Sequence, residues 1–268
     1  KVSPSILSSK GSVIRVDANH GFAFPAISLA LSEITKTCKS FGIAAASISR
    51  SHHFGQAGRH VERLAEDGLI GLMFGNTPKA IPPWGGTQAL FGTNPIAFAS
   101  PRDSAVPLVI DMSLSKVARG KVMVANQLNE KIPEDWAIDK DGKPTTDAKK
   151  ALEGAMLPIG DAKGSALALM VEVLAAGLTG SNFGFEASSF LNAEGDAPGV
   201  GQLIIAIDPS FFSGESFGER TETLVGAVLE QPGTRLPGDK RIEKRKVREK
   251  SETITISKDL YEKIELLT

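Results

Sequence analysis

Apolar positions along this chain switch between short unbroken runs and helical spacings, and the alternation predicts an α/β protein. SVIRVD at positions 12–17 reads as a strand. From Pro25, PAISLALSEITKTCKS repeats apolar residues at helical spacing, with Gly42 as its stop. GIAAASIS predicts a buried strand of small residues, HVERLAEDG an amphipathic helix ending at Gly68, and LIGLMFGN a further strand. IPPWGGTQALFGTNP is dense in Gly and Pro and predicts a long shaped loop. PIAFASP and PLVIDMS predict strands on either side of a turn at Arg102 and Asp103. SKVARGKVMVANQLNE predicts a helix, although its interior Gly120 costs about 1 kcal/mol against Ala.

In the second half, Asp141-Gly142 within DWAIDKDGKPTTD predicts a hairpin between short strands. GDAKGSALALMVEVLAAGLTG is the longest apolar helical stretch and is expected to form a central pillar. GQLIIAID predicts a buried strand, ERTETLVGAVLEQ an amphipathic helix and GTRLPGDKR a turn-rich loop. The charge run KRIEKRKVREKSE reads as a solvated helix before a last strand, TITI, and helix, SKDLYEKIELL. Irregular spacings and turn signals suggest some antiparallel pairing and favour a mixed sheet over a purely parallel one.

Composition narrows the function classes. The chain has 268 residues, 41% of them apolar and 23% charged, the profile of a globular protein with ample core. A formal net charge of −1 supplies no global field for nucleic acid or an anionic membrane, so neither is expected as a partner. The single cysteine, Cys38, excludes an internal disulfide framework and reads as a buried structural thiol. No apolar run reaches membrane-spanning length and the start lacks a signal-peptide pattern, so a cytoplasmic location is expected.

The chemistry gathers around SRSHHFGQAGRH, residues 49–60, which holds three of the four histidines between a strand and a helix. His53 and His60 are seven residues apart, but Gly55 and Gly58 oppose a shared helical face, and HExxH and CxxC are absent, so no metal is expected. GESFG at 214–218 imitates a nucleophile elbow, yet no histidine follows it as that triad order requires. The Gly-rich Rossmann fingerprint is also missing. A nucleotide would need other anchors: DAKGS at a helix start, the cation-rich RLPGDKR turn, or the polar ends of apolar runs at Asn76-Thr77 and Gly92-Thr93-Asn94. Imidazole titrates near neutrality, so His52 and His53 suit the proton transfer that accompanies hydride transfer; solvated loop residues are the plainer reading. His20 reads as a turn residue.

In order and spacing, SHHFG, GTQALFGTNPIAFASPR, VIDMSLSKVARGKV, WAIDKDGKPTTD, LPIGDAKGSALALMVEVLAAGLTG and RLPGDKR resemble the type-2 malate/L-lactate dehydrogenase family from about Ser12 onward. The resemblance implies a non-Rossmann dinucleotide-binding fold on a mixed, largely antiparallel sheet with flanking helices, NAD or NADP as cofactor, a small 2-oxo or 2-hydroxy carboxylate substrate, and a homodimer. By motif, His53 corresponds to the family's catalytic histidine. Ile48, Ser49, Arg50, Ser51, His52, Asn76, Asp111, Met112, Lys163 and Gly164 correspond to cofactor contacts. So does the loop Arg235, Leu236, Pro237, Gly238, Asp239, Lys240 and Arg241. Thr93 corresponds to a position near substrate and nicotinamide.

Lys121 resembles the hydroxy-acid members, with a catalytic role in orienting the C2 oxygen. SHHF, KGSALALMVEVLAAGLTGSNFGFE and RLPGDKR instead resemble the Δ1-piperideine-2-carboxylate/Δ1-pyrroline-2-carboxylate reductases, which gives a cyclic-imine alternative. Family members start with a helical segment that carries a Ser-His-Gly motif and an arginine for the substrate carboxylate. The expectation is one family-like domain over residues 1–268 without that segment. A protein that truly lacked it would be an inactive, truncated dinucleotide-binding protein.

Overall fold

The computed structural model describes residues 2–103, 105–190, 194–251, 253–256 and 258–266. Residues up to Thr223 form one compact unit and those from Leu224 a second. The first unit opens with strands β1 (Ser5–Lys10) and β2 (Val13–Asp17), paired antiparallel. β1 has no buried position, so it carries no apolar pattern by which a sequence could announce it. Helix α1 (Ala23–Phe41) buries Ala23, Ala26, Ile27, Ala30, Leu31, Ile34 and Cys38, the one-face stripe of a 3.6-residue period. It stops at Gly42, whose φ of 77° only glycine takes without a Cβ penalty, and whose N–H closes on Cys38 O.

The chain then forms β3 (Ile43–Ser51), α2 (Ala57–Glu66), β4 (Ile70–Gly75), β5 (Ile96–Ser100) and β6 (Leu108–Met112). After these come α3 (Arg119–Gln127), β7 (Ala137–Ile138), α4 (Ala148–Glu153) and β8 (Ala155–Met156). Helix α5 (Ala162–Val171) continues into a π-helical turn, Glu172–Gly177, and β9 (Val200–Ile207) follows. Short α6 (Ser210–Ser213) precedes α7 (Ser216–Leu229), which crosses into the second unit; α8 (Asp239–Ser251) and α9 (Lys258–Glu265) complete it.

Seven strands form one sheet in the order β1-β2-β3-β9-β4-β5-β6. Only β2 and β3 run parallel within it; the other ladders are antiparallel, as expected of a mixed, largely antiparallel sheet. Alternation along β9 explains the layering. Ile204 and Ala206 join the core under α1 and α2, while Leu203 and Ile205 pack into a second core with residues of α3, α4 and α5. Among the described residues no helix is long and apolar enough to cross a membrane.

Several expectations need correction. The helix read from Ser115 begins only at Arg119, because Ser115 Oγ donates to Val117 O at 2.7 Å in a turn. Gly142 does make its turn, at φ 79°, but the ladder of β7 pairs with β8, leaving one bridge between Ile138 and Pro144. Residues 253–256, TITI, are exposed and form no strand: among the described residues no strand pairs with them, and Thr253 O accepts from Ser251 Oγ at 3.0 Å. Asp239, Lys240 and Arg241 lie in α8 instead of the RLPGDKR loop. The pillar is buried on one side alone: Leu167, Leu169, Met170 and Val173 are exposed. An all-round apolar helix gives no sequence cue to which face will be covered.

Candidate active site

Local backbone geometry explains why the histidines emerge where they do. The register between β3 and β9 shifts between Ile48 and Ser51, and Arg50 sits there with a left-handed φ of 49°. Such a conformation is uncommon for arginine and needs support. Buried Asp17 supplies it from the neighbouring strand: Arg50 Nε donates to its Oδ1 at 3.0 Å and Arg50 Nη2 to its Oδ2. The guanidinium holds the Asp17 carboxyl below the usual carboxylate range. Arg50 Nη2 also donates to Asn19 Oδ1 at 3.1 Å, so this cation is committed to the bulge.

Past the bulge, His52 and His53 flank one phenyl ring. Phe190 stacks on His52 and meets His53 edge-on, each at a centroid distance of 5.2 Å. Gly55 N donates to His53 Nδ1 at 3.0 Å, which leaves Nε2 for a ligand. Desolvation lowers the His53 pKa below its ordinary value, and the Gly55 contact works the same way because a doubly protonated ring cannot accept there. His52 is lowered too, by desolvation and then by His53. His60 has a different occupation. It is buried, and its Nε2 lies 2.7 Å from Phe54 O, which fixes the chain beneath the His53 loop.

His53, Thr77, Pro78, Ala80, Thr93, Arg119, Gly120, Met123, Ser189 and Phe190 line a cavity of about 300 Å³. Apolar walls with a few convergent polar groups are the usual make-up of a small-ligand site. His53 and Thr93, both anticipated from sequence, therefore meet in one cavity. Thr93 Oγ1 lies 3.3 Å from Thr77 Oγ1, and Thr93 N donates to that oxygen at 2.9 Å. Gly120 lies in the first turn of α3 and not in the helix interior, and a Cβ there would meet no atom within 4 Å, so it faces open space instead of a packing contact. Lys121 is exposed and lines a separate groove with Trp136 and Lys131.

The loop carrying Thr93 is held by Glu172, a residue the sequence reading did not single out. This buried carboxylate accepts from Asn94 Nδ2 at 2.9 Å and Gly92 N at 3.1 Å on Oε1. Its Oε2 accepts from Gly184 N at 3.0 Å and Asn76 Nδ2 at 3.3 Å. A lone acid inside the apolar run ALALMVEVLAAG was the available signal. Arg119, Ser189 and Phe190 were missed as well. Arg119 stands two residues before Lys121, to which the sequence reading gave the chemistry of this motif, and loop residues 189 and 190 carry no periodicity.

The remaining anticipated residues fall into groups. Ile48 is fully buried core, Ser49 Oγ reaches Val16 O at 3.5 Å, and Ser51 Oγ is buried without a partner. Asn76 is spent on the scaffold: its Nδ2 also donates to Asn182 O, and its Oδ1 accepts from Gly201 N, both at 2.9 Å. Asp111 Oδ2 accepts from Gly58 N at 2.9 Å in the first turn of α2, and Met112 beside it is exposed. Lys163 is exposed at the start of α5. Gly164 is compulsory there, since a Cβ would lie 1.8 Å from Ile159 O. The segment from Arg235 to Arg241 belongs to the second unit.

Comparison with known proteins agrees with this fold. Residues 1–265 match the model of the malate/L-lactate dehydrogenase family. The chain is 54% identical over 254 residues to the (2R)-3-sulfolactate dehydrogenase (NADP(+)) of Chromohalobacter salexigens, covering 95% of this chain and 75% of that one. It is 41% identical to the Δ1-pyrroline-2-carboxylate/Δ1-piperideine-2-carboxylate reductase of Pseudomonas putida, covering 100% and 79%. The crystal structure of Δ1-piperideine-2-carboxylate reductase from Pseudomonas syringae superposes with a TM-score of 0.92 at 40% identity, covering 100% and 81%. Sulfolactate dehydrogenase from Methanocaldococcus jannaschii superposes at 0.87 with 34% identity, covering 97% and 76%.

Proposed function

The chain belongs to the malate/L-lactate dehydrogenase family, and from that premise we propose that its His53 cavity interconverts a small 2-oxo carboxylate with the matching 2-hydroxy acid. It is an NAD(P)-dependent oxidoreductase, and NADP is the cofactor we assign, following the 54%-identical sulfolactate dehydrogenase (NADP(+)). The donor set fits a nicotinamide and a small acid: Phe190 and Met123 offer flat or apolar surface, Thr77 and Thr93 offer hydroxyls, and His53 faces both. When bound, the cofactor supplies or takes the hydride at substrate C2.

In reduction, protonated His53 gives its Nε2 proton to the C2 oxygen and is left neutral with its proton on Nδ1. The Gly55 contact needs Nδ1 as acceptor and belongs to the other neutral tautomer, with the proton on Nε2. In oxidation the neutral ring with its proton on Nδ1 takes that proton back on Nε2. Thr77 and Thr93 orient the C2 oxygen, and Phe190 keeps water from one side of both imidazoles. Our proposal keeps Ile48, Ser49, Ser51, His52, Asp111, Met112, Lys163, Gly164 and residues 235–241 as cofactor neighbours through backbone or side chain. It gives Arg50 and Asn76 scaffold roles. Lys121 is retained as a residue that approaches the C2 oxygen from the adjoining groove.

The observation that carries this reading is the convergence of His53 and Thr93 on one cavity. A second reading, reduction of a cyclic 2-imino carboxylate, is supported by the TM-score of 0.92 to the piperideine reductase structure. Mixing the protein with NADPH or NADH and 3-sulfopyruvate, pyruvate, oxaloacetate or Δ1-pyrroline-2-carboxylate decides between them. Loss of the reduced-nicotinamide absorbance with an oxo acid supports the first reading, and with the imine alone the second. Absence of substrate-dependent loss in every mixture overturns both. We place the protein in the cytoplasm as a homodimer, a state that sedimentation velocity measures.

A further inference from the structure

Burial along β3 changes parity once. Ala44, Ala46 and Ile48 are buried, and the next buried position is Ser51 instead of residue 50. The ladder with β9 makes the same step: Ile48 faces Gln202 and Ser51 faces Val200, so Ser49 and Arg50 together stand against Gly201 alone. In such a bulge a left-handed position usually falls to glycine. Here Arg50 occupies it, at φ 49°. Gly201 is pinned from the other side. Its N–H donates to Asn76 Oδ1 at 2.9 Å, and a Cβ on it would lie 1.9 Å from Ala175 O, so β9 does not move to absorb the extra residue.

A regular ladder would set Arg50 against Val200 and move every later residue by one place. The buried position of Ser51 would pass to Arg50, and the place of His53 in the cavity with Thr93 would pass to His52. Asp17 opposes that slip. It pairs with Ser49 in the β2–β3 ladder, and its two oxygens accept from Arg50 Nε, at 3.0 Å, and from Arg50 Nη2. Two bonds to one carboxylate fix the direction of the guanidinium as well as its position. Arg50 O also accepts from His20 N at 2.8 Å, which holds the same residue by its backbone. We propose that the Asp17–Arg50 pair is a register lock that positions His53, and not His52, as the acid–base group of the cavity. The inference rests on the function proposed above and adds the pair of residues that selects between two adjacent imidazoles.

Asp17→Ala removes the lock and leaves every group of the cavity in the chain. It should lower kcat roughly 10- to 100-fold, the cost of a small misplacement of a reacting group, with affinity for NADPH unchanged. Asp17→Asn, which keeps the shape, serves if D17A does not fold. Arg50→Gly loses the cation but is at ease in the left-handed region, so it should keep more turnover than Arg50→Ala. In the R50A background D17A should add nothing further, as a shared interaction requires. NMR titration of the imidazole C–H signals reads the same event without turnover: in D17A the lowered His53 pKa should rise toward 6.5 as the ring leaves its desolvated place. A pair that served stability alone would shift the urea midpoint and leave kcat and this titration where they are. An unmoved His53 titration in D17A overturns the proposal, and so does unchanged kcat. Loss of NADPH affinity in R50A and R50G with D17A intact also overturns it, since Arg50 would then be a cofactor ligand. Turnover of the unmodified protein reports separately on the proposed reaction.

Discussion

Asn94 Nδ2 donates to Glu172 Oε1 across 2.9 Å, tying the loop that carries Thr93 to the π turn that follows α5. Each Glu172 oxygen faces two N–H donors, so a glutamine there must point its own NH2 at two of them. Glu172→Gln should therefore lose roughly 3 kcal/mol of stability or more. Urea unfolding measures it, and a loss under about 0.5 kcal/mol would show the network to be dispensable.

His53→Asn should lower turnover by roughly 10²- to 10⁴-fold, the range of one general acid–base group. Binding of NADPH should change little, because the imidazole is assigned to the substrate proton. Steady-state kinetics beside a fluorescence titration separates the two quantities; unchanged turnover removes His53 from the chemistry.

The lowered His53 pKa sets the shape of the pH profile. Oxidation needs the neutral ring, which predominates above that pKa, so kcat/KM for oxidation should hold at neutral pH and fall only below the ordinary value of 6.5. In the reverse direction the protonated ring is required, and kcat/KM should already be declining as pH rises through the same point. An acid limb at or above 6.5 would contradict the assignment.

His60 makes a separate prediction about stability. Burial lowers its pKa from 6.5, so the unfolded chain takes up the proton first as pH falls. The stabilisation is complete above about 6.5 and is lost progressively below it. Asp17 and Glu222, also lowered, act in the carboxylate range further down. Between about pH 7.5 and 5.5 the urea midpoint should fall in the unmodified protein and fall less in His60→Gln, while an identical slope in both would exclude His60 as its source.

These residues also mark what the sequence could disclose. Burial of one face writes a period into the chain, so α1, β3, β4 and β9 were legible from apolar spacing. β1 buries nothing, and β8 has only two residues, so neither leaves a pattern. His53 and Thr93 were readable as motif residues, but their shared cavity depends on the β3 bulge and on Glu172. A register shift and a long-range hydrogen-bond network have no local signature. Arg119 is set apart from a surface arginine by its buried Nε, which has no partner among the described residues, and that is a property of the fold.

A crystal structure with NADPH and oxamate would locate the chemistry. The predicted complex has the nicotinamide against Phe190 and Thr93, with His53 Nε2 within about 3.2 Å of the oxamate oxygen that mimics the C2 oxygen. A nicotinamide bound away from this cavity, with His53 facing solvent, would contradict it.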